Sequence, residues 1–221
     1  MANLISISLE ATKIKEEEFV DKFISNVNLD FCTLEKIHKK SGYGCKLSTK
    51  QATFEELNSS EEFRFILDSL SQNSFKAHDA KNNYLTVSYT VDNSTVNIFK
   101  KIDLFVLQNM DFCQKLARKE KAFHFNFSEK MFEDLGLDES NNRPVSFHRN
   151  EIEFRFFRST LKFETIMATV EFVKTLYYFI LEKEITYEML FEHSQSLLNK
   201  YIKFAKENSI YLNNYLAEKF G

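Results

Sequence analysis

The chain has 221 residues, 43% apolar and 28% charged, with a formal net charge of -3. That is enough chain for one substantial core and too apolar for a disordered tail. The near-neutral balance supplies neither a basic field for nucleic acid nor an acidic block that mimics it.

Four glycines, one proline and 24 phenylalanines predict few sharp turns and long regular elements. Cys32, Cys45 and Cys113 are odd in number and lack metal-ligand spacing, which predicts buried free thiols in a reducing compartment. Met1 to Ser8 has no basic region before its broken apolar run, so no signal peptide is expected. No stretch reaches about 18 uncharged apolar residues, so no membrane span is expected; with the free thiols, a cytoplasmic location is the expectation.

Leu4 to Glu10 alternates Ile5, Ile7 and Leu9 with Ser6, Ser8 and Glu10, which predicts a strand. Residues 15–27 read as an amphipathic helix with acids in the first turn. Phe31 to Ile37 and Cys45 to Thr49 read as strands around a Gly42-Tyr43-Gly44 turn. Thr53 and Glu56 form a capping-box pattern that opens a helix over 54–71. Tyr84 to Val91 reads as a strand, and Asn93 or Ser94 caps a helix reaching about Lys119. Residues 120–148 are less regular, with a loop over Asp138 to Arg143. Glu151 to Leu161 places Ile152, Phe154 and Phe156 opposite Glu151, Glu153 and Arg155, a strand with one apolar and one charged face. Helices follow over 163–182, 187–207 and 209–219. The sum is an α+β fold, a largely antiparallel mixed sheet with packed helices, in one domain over 1–221 with 183–221 as a helical C-terminal extension.

The run from Glu151 to Val173 resembles the amidoligase family found in phages and mobile elements, carboxylate–amine ligases with a glutamine-synthetase-like fold. Ile152, Glu153, Phe154, Arg155, Phe157 (or Phe156), Arg158, Thr160 and Leu161 fit its pattern, and Ser159 replaces the usual Gly. Element order supports the resemblance from Ile5 to Glu10, through Gly44 to Thr49 and Val87 to Val91, to the 151–161 strand.

The resemblance implies carboxylates and histidines that this chain replaces. Ser6 and Ser8 stand where the first strand offers two acids, Lys46 where the second offers Glu, and Ser88 and Thr90 where the third offers histidines. A ligase of this type holds divalent metal between carboxylates and nucleotide phosphates. Hydroxyls are poor substitutes, and Lys46 repels the ion. The resemblance therefore implies a catalytically degenerate scaffold with no cofactor. Its residual residues are Glu151, Glu153, Arg155 and Arg158. The alternative is an active ligase using ATP and magnesium through Glu153, Arg155 and Arg158, with Glu10 as an added acid. Such a scaffold of phage origin implies a host protein or ribonucleoprotein as partner, such as a CRISPR effector. It does not imply nucleic acid or membrane.

Other features have plainer readings. Glu153 and Arg155 form an ion pair whose loss, if buried, costs on the order of 3–5 kcal/mol. Thr160 helps to cap the next helix. Lys115-Arg118-Lys119-Lys121 reads as a solvated helix end. His38, His78, His124, His148 and His193 lack ligand spacing. Phe123 to Phe127, Met131 and Phe132, and the Tyr177-Tyr178-Phe179 cluster, read as packing. The last helix, with Tyr211, Leu212, Tyr215, Leu216 and Phe220, packs on its own domain or on a second copy as a homodimer.

Overall fold

The computed structural model describes residues 3–13, 17–27, 29–39, 42–77, 83–90, 96–118, 144–148 and 150–220. The expected caps Asn93 and Ser94, the 138–143 loop, Phe123 to Phe132, Lys119, Lys121, His78 and His124 lie outside them.

Six strands form one antiparallel sheet: β1 (Ile5–Lys13), β2 (Cys32–Lys39), β3 (Gly42–Thr49), β4 (Tyr84–Thr90), β5 (Val145–His148) and β6 (Glu151–Arg158). Their order is β2-β3-β1-β4-β6-β5. The period of two divides β1 cleanly. Ile5, Ile7, Leu9 and Ala11 are buried, while Ser6, Ser8 and Glu10 point to the second face. Gly42-Tyr43-Gly44 is not a turn but the start of β3. Gly44 sits where β3 and β1 approach closely, and a Cβ there would fall inside the Ala11 carbonyl.

Helix α1 (Glu17–Ser25) covers β2 and β3. The helix expected over 54–71 is two, α2 (Phe54–Ser59) and α3 (Glu61–Gln72). Thr53 and Glu56 make the expected capping box. Ser60 ends α2 and caps α3, its hydroxyl accepting from the Phe63 N–H at 3.1 Å. The next expected helix is also divided, at Asn109, into α4 (Val96–Gln108) and α5 (Met110–Ala117). Strand β5 has no counterpart among the expected elements; its four residues are too few for a period to register.

Helix α6 (Phe163–Glu182) is central. Fourteen of its twenty residues are buried, because it lies between the sheet and later helices. The Phe172 ring meets Phe154, Phe156 and Phe157 of β6 edge-on and, on its other side, Tyr201. The stretch expected as one helix over 187–207 breaks at His193 into α7 (Tyr187–Glu192) and α8 (Ser194–Asn208), and α9 (Tyr211–Phe220) closes the chain. Leu212, Tyr215 and Leu216 of α9 are buried, and α9 packs on α6 and α8. Glu171 of α6 accepts from the backbone N–H groups of Ile210 and Leu212, holding the start of α9.

Candidate functional site

The helices α1, α4, α5 and α6 pack on the sheet from the side of the buried residues. The second face is polar throughout its centre. Antiparallel register sets its rows: Ser6 opposite Ser88, Ser88 opposite Glu153, and Glu153 opposite Ser146. A neighbouring row joins Thr90, Glu151 and His148, and another joins Thr33, Ser48, Ser8 and Thr86. Lys46 lies opposite Glu10 on one side and Glu35 on the other. The tertiary structure thus brings Ser6, Ser8, Lys46, Ser88, Thr90, Glu151, Glu153 and Arg155 onto one face.

Three carboxylates on this face are engaged within it. Glu153 receives Arg155 and a hydrogen bond from the Ser146 hydroxyl at 3.3 Å. Glu10 receives Lys39 and the Tyr84 N–H at 3.2 Å. Glu151 receives the Gln51 amide. The Ser48 hydroxyl donates to Ser8 at 3.2 Å. The Glu153–Arg155 pair keeps about 30% of each side chain exposed, so it is not the buried pair for which a loss of several kcal/mol applies. A value of about 1–2 kcal/mol, between those of surface and buried pairs, fits it better.

Glu10 and Glu153 are held apart. Glu10 lies four residues along β1 from Ser6, and Ser6 lies two strands from Glu153. Strand geometry makes this roughly 16 Å between backbones. Each carboxylate is held by its own cation, Glu10 by Lys39 and Glu153 by Arg155. Among the described residues, no cluster of three His, Cys, Asp or Glu is arranged to hold a metal.

Arg158 is separated from the row of Glu153 and Arg155. The register between β4 and β6 shifts between Leu85–Phe157 and Val87–Phe154, an extra residue on β6. Phe156 and Phe157 consequently both enter the core. Arg158, opposite Tyr84 beyond this extra residue, lines a cavity with α3, α6 and α9. Ser159 is fully buried and donates to the Glu10 carbonyl at 2.7 Å. Thr160 accepts from the Lys162 N–H at 3.2 Å, before α6 begins, and no side chain caps that helix among the described residues.

Arg118 corrects the expected solvated helix end. It closes α5 in the left-handed conformation, is half-buried, and donates to the Arg158 carbonyl at 2.8 Å. Burial, with the neighbouring charge of Arg158, lowers its pKa, and Tyr215 works in the opposite direction. The partners Ser146, Lys39 and Gln51 were not legible either, since each reaches the face only through strand order. His148 is exposed at the end of β5.

All three cysteines are free and buried. Burial pushes the Cys45 thiol up to about 12. Cys32 is also raised to about 12, by burial and then by the Glu62 carboxylate.

These features define an α+β protein built on an antiparallel sheet with one core face and one polar face. Among the described residues no helix is long and apolar enough to cross a membrane. No family model matches this chain, and no curated protein matches it.

Proposed function

We propose that this chain is a catalytically degenerate, amidoligase-like protein that acts in a bacterial cytoplasm by binding another macromolecule. The observation that carries the reading is the state of the polar sheet face. Its carboxylates Glu10 and Glu153 sit in separate ion pairs with Lys39 and Arg155. The positions around them are Ser6, Ser8, Ser88, Thr90 and Lys46. Among the described residues, such a face offers hydrogen-bonding groups and fixed charges rather than the converging carboxylates that phosphoryl transfer through magnesium requires. A stable scaffold relieved of catalysis can carry a binding surface. The phage origin and a host protein or ribonucleoprotein of a defence system as partner follow from the family resemblance alone.

The competing reading is an ATP-dependent carboxylate–amine ligase centred on Glu153 and Arg155. Thermal denaturation of the purified chain with and without ATP and magnesium separates the two. The binding reading expects no shift at millimolar nucleotide in wild type. A saturable rise in Tm that disappears in a folded Arg155→Ala variant overturns it and restores the ligase.

A further inference from the structure

A groove with an apolar floor and a cationic rim lies at the far end of α6, and every residue lining it falls in the described stretch 150–220. There the end of α6, the turn after it, α7 and α8 enclose about 420 Å³. The floor is Phe179, Ile185, Met189, Leu197 and Phe204. Met189 and Phe204 are only half-buried, which leaves apolar surface open to the groove. The rim carries Lys183, Lys200 and Lys203, all exposed, against one acid, Glu207. Glu207 lies 4.0 Å from Lys203, and the Lys183 ammonium stands 5.6 Å from the Phe204 ring centroid. Leu197, Lys200, Phe204 and Glu207 recur at three- and four-residue spacing, so one stripe of α8 runs along the groove.

The matching feature sits on α3. Phe65 is 64% exposed, more than any other Phe or Tyr among the described residues. Glu61 stands four residues before it and Asp68 three after it, so acid, ring and acid form one exposed stripe of the helix. Arg64 is turned from this stripe to the Phe163 ring, 3.4 Å from its centroid, and Glu62 takes the N–H groups of Asp30, Phe31 and Cys32. Lys22 of α1 shares the hollow beside Phe65. The ring and the groove cannot meet in one molecule. Phe63 of α3 packs on Phe163 at the start of α6, with ring centroids 6.0 Å apart. Phe179 lies at the other end of that helix, about 24 Å further along its axis.

We infer that Phe65 of one copy of this chain docks into the lysine-rimmed groove of another, with Glu61 and Asp68 meeting Lys183, Lys200 and Lys203. The two surfaces are complementary in charge, and each hides apolar area that the other leaves in water. A knob and a socket at opposite ends of one helix make a heterologous contact. Such a contact joins copies head to tail. One ring and its flanking ion pairs form a small interface, so the association is weak, with a Kd on the order of 100 µM. The contact uses no residue of the polar sheet face.

Sedimentation equilibrium of the full chain from about 10 µM to about 1 mM, which brackets that Kd, tests this. The mass of wild type should rise with concentration past that of a dimer. It should fall back when salt is raised from about 0.05 to about 0.5 M, because the flanking pairs are exposed. Phe65→Asp removes the knob, and the double change Lys183→Glu with Lys200→Glu reverses the rim. All three side chains are exposed, so both variants keep the fold, which circular dichroism checks. Each variant alone should stay monomeric. Mixed in equal amounts, they should form a dimer and nothing larger, since the mixture holds one usable knob for each usable socket. Wild type that stays monomeric to about 1 mM leaves the groove to an acidic partner other than this chain and overturns the proposal. So does a variant that self-associates like wild type, or a mixture that associates no more than its components.

Discussion

Two glutamates show how position decides what a carboxylate does. Glu62, in the first turn of α3, accepts from the backbone N–H groups of Asp30, Phe31 and Cys32. Burial by itself raises its pKa, but these three donors together outweigh it and hold the carboxyl below its ordinary value. A folded-state value below the unfolded one contributes stability that is complete above the unfolded pKa. It is lost as pH falls through the depressed folded value. Glu62→Gln should therefore flatten the acid limb of stability measured by urea unfolding from pH 6 downwards, about the range in which a carboxyl titrates. Glu171 is buried more deeply, and its raised pKa reflects burial first, opposed by the N–H groups of Leu212, Ile210 and Tyr211. Glu171→Ala leaves those donors buried without an acceptor. It should cost about 2–4 kcal/mol in urea unfolding at neutral pH; a loss below 0.5 kcal/mol, roughly that of a neutral surface change, would show that α9 holds itself.

At the scale of elements, breaks and register determine which side chains meet. Ser60 divides the 54–72 stretch because its hydroxyl replaces the backbone acceptor that a continuous helix would supply. Ser60→Ala should lower stability by about 1 kcal/mol, with Ser60→Gly costing only a few tenths; equal losses in urea unfolding would argue against a cap. Between β1 and β3 the close approach at Gly44 leaves no room for a side chain. Gly44→Ala must push β3 from β1, and a loss of about 2 kcal/mol or more is expected from such overpacking. A variant as stable as wild type would mean that the two strands separate freely there. The extra residue on β6 acts in the same way on function. It turns Phe157 into the core and sets Arg158 opposite Tyr84 rather than in the core row of Phe154 and Phe156.

For the whole molecule, the aromatic side chains tie three layers together. Phe172 touches β6 on one side and Tyr201 of α8 on the other, so the sheet, α6 and the C-terminal helices share one core. The thiols report on that unit. Cys32, Cys45 and Cys113 are buried, and burial raises the pKa of each, which suppresses the reactive thiolate. A colorimetric thiol reagent at pH 8 should label none of the three in the native protein and all of them in denaturant. Rapid labelling without denaturant would show a local opening around the thiol concerned.

Much of the local structure was legible because its signals are local. Alternation marked β1, β4 and the strand at 151, the apolar run marked α6 almost to the residue, and Thr53 with Glu56 marked a capping box. The breaks at Ser60, Asn109 and His193 escaped because the apolar period continues across each, and β5 was too short to show a period. The polar faces of β1, β4 and β6 were likewise visible one strand at a time. Only strand order and register could align Ser6 with Ser88 and Glu153, bring Ser146 to Glu153, and set Glu10 far from it. The groove at the end of α6 was invisible in one dimension, since Phe179, Met189 and Phe204 line it from three different helices. Hydrogen bonds between neighbours in sequence specify elements, whereas desolvation and charge at a site depend on which distant segments the common core brings together.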